Sequence, residues 1–70
     1  MKKCTLRNNI RVQRAIKQIT QEELAAEINV TRKTINTIEN GVFIPSTVLA
    51  IKLSRYFGVA VEELFDLEEE

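Results

Sequence analysis

Apolar residues along this chain recur at three- to five-residue spacing, the period of helices that bury one face. Ile10, Ala15, Ile16 and Ile19 predict a first helix from about Asn9, with Asn8 or Asn9 as its cap. Thr20 then precedes Gln21-Glu22-Glu23. A Thr followed three residues later by Glu is a capping box: the hydroxyl accepts from the Glu23 amide, and the carboxylate returns to the Thr20 amide. Leu24, Ala25 and Ile28 form the buried stripe of this second helix, which stops at Asn29, a residue type that enters the left-handed region at small cost. Thr31 caps a third helix, anchored by Ile35 and Ile38, that runs to Asn40 and ends at Gly41. Pro45 breaks the chain and Ser46 caps a fourth helix, which carries Leu49, Ala50, Leu53 and Phe57 on one side and closes at Gly58. A short fifth helix is expected near Val61–Phe65. The period-two alternation of a strand shows only weakly at Val59–Val61, so the expected fold class is all-α, a compact bundle of five helices.

The third helix departs from an ordinary surface helix. Its polar positions are Thr31, Arg32, Lys33, Thr34, Asn36 and Thr37, with no carboxylate until Glu39. It is paired with the second helix through a turn of three or four residues at Asn29, and small Ala25 stands where two helices cross closely. Two helices so joined are a helix-turn-helix, whose second helix can enter the major groove of DNA. The side chains suit that use. Arg and Lys bond guanine O6 and N7, Asn bonds adenine N6 and N7, and Thr offers its methyl to thymine.

Composition narrows the alternatives. Seventy residues make a single domain, and a chain of this size buries only about 60% of its unfolded surface, so association with a second copy often helps. No apolar run approaches the ~20 residues of a membrane span. The start MKKC lacks the apolar stretch of a signal peptide, which points to the cytoplasm. Cys4 is the single cysteine and there is no histidine, which disfavours a disulfide framework and a zinc site and leaves Cys4 as a free thiol. Without histidine, a nucleophile–base pair or a glycine-rich phosphate loop, no enzyme, cofactor or small-molecule substrate is expected. The formal net charge is zero, but it is unevenly placed. Residues 1–55 hold all ten Lys and Arg and four carboxylates, for +6, whereas residues 56–70 hold six carboxylates and no cation, for −6. Such asymmetry suits a polyanion-binding body with an acidic end turned elsewhere, or simply a solvated tail at Glu68–Glu70. The expected organisation is a basic leader over residues 1–8, a helix-turn-helix domain over 9–66 and an acidic tail over 67–70.

The segments TQEELAAEINVTRKTINTIENG and PSTVLAIKLSRYFGVAVEELF, together spanning about residues 8–65, resemble the Xre-type helix-turn-helix regulators related to lambdoid phage repressors and Cro proteins. The resemblance implies a lambda-repressor-like DNA-binding bundle, usually a two-fold dimer, with double-stranded DNA as partner. It matches Gln21 to a residue that meets phosphate at the start of the second helix. It matches Thr31, Arg32, Lys33, Thr34, Asn36 and Thr37 to the recognition helix, with Arg32, Lys33, Thr37 and Asn36 as base readers and Thr31 and Thr34 as phosphate contacts. Asn40 matches a phosphate-binding position, although a helix-end cap is an equal reading. Arg14 and Glu39 match an internal ion pair, which takes Glu39 off the binding surface. Departures from the pattern are Gln13 for a Leu, Gln18 for a helix-ending Gly, Asn29 for a turn Gly, Ala60 for a Ser cap, and Val42-Phe43-Ile44 where a phosphate-binding Lys or Arg is common. That apolar loop either covers the core or marks a protein interface. Lys2, Lys3 and Arg7 read either as an arm for the minor groove or as a loose tail. Lys52 and Arg55 read as solvated charges.

The expected function is a sequence-specific DNA-binding regulator, a dimeric repressor on a near-palindromic operator. The alternative is an antitoxin that binds a toxin or other protein and represses its own operon. Phe43, Tyr56, Val61, Leu64, Phe65 and Leu67 are the candidate contacts for a dimer or partner.

Overall fold

The computed structural model describes residues 4–69. Five helices follow one another: α1 (Ile10–Lys17), α2 (Gln21–Glu27), α3 (Arg32–Glu39), α4 (Thr47–Phe57) and α5 (Val61–Leu64). They are bracketed by β1 (Cys4–Asn8) and β2 (Phe65–Glu69), which pair antiparallel with Leu6 opposite Leu67 and Arg7 opposite Asp66. The fold is therefore not purely helical. Each strand is five residues long and mostly exposed, so neither carries an alternation strong enough to read locally. Their pairing joins opposite ends of the chain and is decided by the helices between them. The basic leader and acidic tail thus meet, as far as they are described. Arg7 faces Asp66 at 3.5 Å and Glu68 at 3.7 Å across the strands. Lys2, Lys3 and Glu70 lie outside the described residues.

The boundaries follow from local chemistry. Thr20 accepts from the Glu23 amide at 3.0 Å and Glu23 accepts from the Thr20 amide at 3.0 Å, the expected capping box. Thr31 and Ser46 cap α3 and α4 by accepting from Thr34 and Leu49 amides. Between the two asparagines before α1, Asn8 provides the side-chain cap, accepting from the Ile10 amide at 3.2 Å. Its own amide donates to the Ile38 carbonyl at 2.9 Å, while Asn9 donates to the Glu63 carbonyl, so this junction ties α1 to α3 and α5. Gln18 ends α1 at φ 57° and Asn29 makes the turn after α2 at φ 61°.

One core joins Ile10, Leu24, Ala25, Ile28, Ile35, Ile38, Leu49, Leu53, Phe57, Leu64 and Phe65. The expected stripe of α1 does not survive: only Ile10 is buried, while Ala15 is exposed and Ile16 is 68% exposed. One turn on from Ile10 come positions 13 and 14, not 15 and 16, so half-buried Gln13 and Arg14 share its face. Helix α5 ends at Leu64, one residue short of the expectation, because Phe65 has turned extended to begin β2. Among the described residues no helix is long and apolar enough to cross a membrane.

Candidate nucleic-acid interface

The α2–α3 unit is closed by the Val30 amide, which donates to the Ala25 carbonyl at 2.9 Å, and by left-handed Asn29. Ile35 and Ile38 lie fully in the core. The remaining faces of α3 are thereby fixed. Arg32, Lys33 and Asn36 are exposed and border one open groove. Lys33 also borders a second groove, with Thr31, Thr34, Thr37, Val42 and Phe43. Among the described residues neither Arg32 nor Lys33 has a carboxylate within salt-bridge distance.

Glu39, the single carboxylate of α3, has a side chain only 1% exposed. Arg14 grips it with two bonds, Nε to Oε2 at 2.6 Å and Nη2 to Oε1 at 3.1 Å. Gln21 Nε2 donates to Oε1 at 3.2 Å and Arg11 Nε at 3.4 Å. Burial by itself raises the Glu39 pKa, but the hydrogen bonds from Arg14, Gln21 and Arg11 and the Arg14 charge outweigh it and hold the carboxyl below its ordinary value. The same hydrogen bond raises Arg14 above the usual arginine value, against the opposing effect of its burial. The expected Arg14–Glu39 pair is therefore present as geometry.

The expected contact residues divide by what their polar atoms already hold. Gln21 is half-buried and spends its amide on Glu39 and on Asn36 Oδ1 at 3.3 Å. Asn36 Oδ1 also accepts from Asn40 Nδ2 at 3.4 Å. Asn36 thus has its acceptor engaged and its amide hydrogens free, which suits an acceptor such as guanine O6 or a phosphate oxygen better than the two-sided pairing with adenine. Thr37 gives its hydroxyl to the Lys33 and Thr34 carbonyls, each at 3.0 Å, so its methyl is what it can offer a base. Thr31 and Thr34 hydroxyls lie 3.0 Å apart at the helix start. Asn40 occupies the C-cap position of α3 and accepts from Arg11 Nη2 at 3.4 Å. Arg11 is a member of this network that the sequence reading missed. Its place three residues before Arg14, on the same helix face, was the available signal.

Of the candidate contacts for a dimer or partner, Leu64 and Phe65 belong to the chain's own core, at 0% and 8% exposure. The apolar side of α5 packs inward and leaves nothing of Leu64 for a neighbour, while Phe65 keeps only a small edge at the surface. Tyr56 and Val61 are half-buried, with the Lys17 ammonium 4.9 Å above the Tyr56 ring. Phe43 and Leu67 remain exposed. The loop Val42-Phe43-Ile44 does not cover the core; its residues are 79%, 48% and 70% exposed.

Comparison with known proteins agrees with this geometry. The model of the helix-turn-helix family matches residues 10–64. An uncharacterised HTH-type transcriptional regulator of Methanocaldococcus jannaschii is 40% identical over 65 residues, 93% of this chain and 98% of that one. The crystal structure of a restriction-modification controller protein of Aeromonas hydrophila superposes with a TM-score of 0.72 at 27% identity, over 79% of this chain and 80% of that one. An SOS-response transcriptional repressor, LexA, of Eubacterium rectale gives a TM-score of 0.74 at 31% identity, over 79% of this chain and 58% of that one. The capped α2–α3 pair, its neutralised internal carboxylate and these likenesses place the chain in the Xre-type, Cro/C1-like family of DNA-binding helix-turn-helix transcriptional regulators.

Proposed function

We propose that the protein is a sequence-specific transcriptional repressor that binds double-stranded DNA as a dimer. The observation that carries this reading is the charge arrangement of α3. Its outer side offers exposed Arg32, Lys33 and Asn36, the exposed N-cap Thr31 and half-buried Thr34 and Thr37, while its one carboxylate is buried against Arg14. A helix entering a groove walled by phosphates needs that absence of exposed negative charge. Arg32 and Lys33 read guanine edges, the Thr37 methyl meets thymine, and Asn36 donates to an acceptor in the groove. Thr31 and Thr34 hold phosphate at the start of α3, and Gln21 and Asn40 keep the α2 and α3 ends in register with the DNA backbone. A dimer sets two copies of α3 about one DNA turn apart, ~10 bp, on a two-fold operator. Its contact is an apolar side of α4, where Val48 and Ile51 are exposed and Ile51 lines a groove with Leu6, Pro45, Thr47, Ala50, Val61 and Phe65.

The test is binding to the DNA upstream of the protein's own gene, measured by fluorescence anisotropy across a salt series and localised by footprinting. Affinity is expected to fall linearly on a log–log plot, with a slope near −0.9 per phosphate neutralised. Arg32→Ala is expected to relax preference at one base position by ~1–3 kcal/mol. Equal weakening on every sequence makes Arg32 a phosphate contact instead, and a flat salt response defeats DNA binding altogether.

A further inference from the structure

The loop after α3 is apolar and exposed, yet it is held firmly in place. Gly41 turns at φ 74°, and the Val42 and Phe43 amides both donate to the Thr37 carbonyl, at 2.9 and 3.2 Å. Two bonds to one carbonyl of α3 fix the loop in register with that helix. The result is a groove of about 330 Å³ with two unlike sides. One side carries Thr31, Lys33 and Thr34, with hydroxyls and an ammonium; the other carries Val42 and Phe43; Thr37 stands between them. No carboxylate lines it.

We infer that Val42 and Phe43 pack against the deoxyribose rings of the DNA strand that borders α3, forming an apolar contact of the interface. The inference rests on the DNA-binding reading of α3. The occupant follows from the two sides taken together. A nucleotide backbone alternates an anionic phosphate with a largely apolar sugar edge, and this groove sets phosphate-bonding groups opposite apolar ones at the margin of the proposed reading face. A protein partner would require Lys33 and the threonines to leave the DNA. A thymine methyl, which Thr37 meets in the same groove, is told apart from a sugar by the deoxyuridine DNA in the test below. Packing on sugars is independent of base sequence and releases no counterion. The loop therefore adds affinity that salt does not screen.

The experiment compares wild type, Phe43→Ala and Phe43→Lys in anisotropy titrations on the footprinted DNA, on unrelated DNA, and on footprinted DNA with deoxyuridine in place of thymidine. Val42→Ala, at a more exposed position, repeats the measurement with less effect on folding. Circular dichroism confirms that each variant is folded. Phe43→Ala is expected to weaken binding on the order of three- to tenfold. The loss should be the same on all three DNAs, with the salt slope unchanged. Phe43→Lys is expected to steepen the slope by about one phosphate. Undiminished affinity in both Phe43→Ala and Val42→Ala, or an unchanged slope in Phe43→Lys, overturns the contact. A loss that disappears on the deoxyuridine DNA overturns the sugar assignment in favour of a methyl contact. If wild type binds none of the DNAs at low salt, it is the DNA-binding reading itself that has failed, which is a distinct result.

Discussion

Two residues show how much a single position decides here. Gln18 ends α1 with φ 57°, a conformation that costs a side chain with a Cβ roughly 1 kcal/mol more than glycine. Its amide nevertheless donates to the Ala15 carbonyl and the next amide to that of Arg14, so the turn is closed by backbone alone. Gln18→Gly is expected to stabilise the domain by up to ~1 kcal/mol, read as a rise of ~4–8 °C in Tm. Glu39 has the opposite sensitivity. Glu39→Ala leaves the Arg14 guanidinium, only 16% exposed, without its counter-charge, and should cost ~3–5 kcal/mol. An unchanged melting curve would show that the pair does not support the fold. Because the folded carboxyl lies below its ordinary value, the unfolded chain binds the extra proton. The stabilisation is thus complete above the unfolded value and is lost as pH falls through the lower folded value. Urea midpoints taken from pH 7 to pH 3 should fall less steeply for Glu39→Gln than for wild type.

Among the elements, α5 and the two strands are the shortest, at four and five residues. Ala60 stands at the N-cap of α5 with extended angles, φ −69° and ψ 153°, and has no acceptor to offer. The reciprocal half of a capping box is already present, since Glu63 Oε1 accepts from the Ala60 amide at 3.1 Å. Ala60→Ser completes the box and is expected to add ~0.5–1 kcal/mol, measured by thermal unfolding. No gain would mean that the first turn of α5 is held by its tertiary contacts alone. The sheet gains less from its charges. Arg7, Asp66 and Glu68 are each about 60% exposed or more, and such pairs contribute ~0–1 kcal/mol. Its anchorage is instead Phe65 in the core and Leu6 packed against it. The expected capping residues of α2, α3 and α4 were legible because each cap involves neighbours in sequence. The strands were not, because a five-residue segment carries its register only in the partner it meets.

At the scale of the molecule, exposed apolar side chains stand both beside α3, at Val42 and Phe43, and on α4. The cations of α3 border the proposed reading face, the acidic β2 pairs with β1, and exposed Val48 and Ile51 stand on α4. For the dimer proposed on that side, Val48→Glu is expected to shift sedimentation toward monomer and to weaken operator binding about tenfold or more, through lost avidity on a two-half-site operator. An unaltered sedimentation profile would remove α4 from the contact.

The sequence by itself determined the order of the helices, the caps that begin α2, α3 and α4 and the carboxylate-free stretch from Thr31 to Thr37. Each depends on groups within a few positions of one another, where backbone geometry dictates who can meet. Only the tertiary structure decided that Leu64 and Phe65 belong to the core and that Cys4–Asn8 and Phe65–Glu69 pair as strands. It also decided that Gln21 and Asn36 engage each other before any base is present, and that Val42 and Phe43 stand exposed beside α3. These outcomes turn on which of several chemically adequate partners lies nearest once the core has closed. Packing settles that choice among groups far apart in sequence, and periodicity cannot.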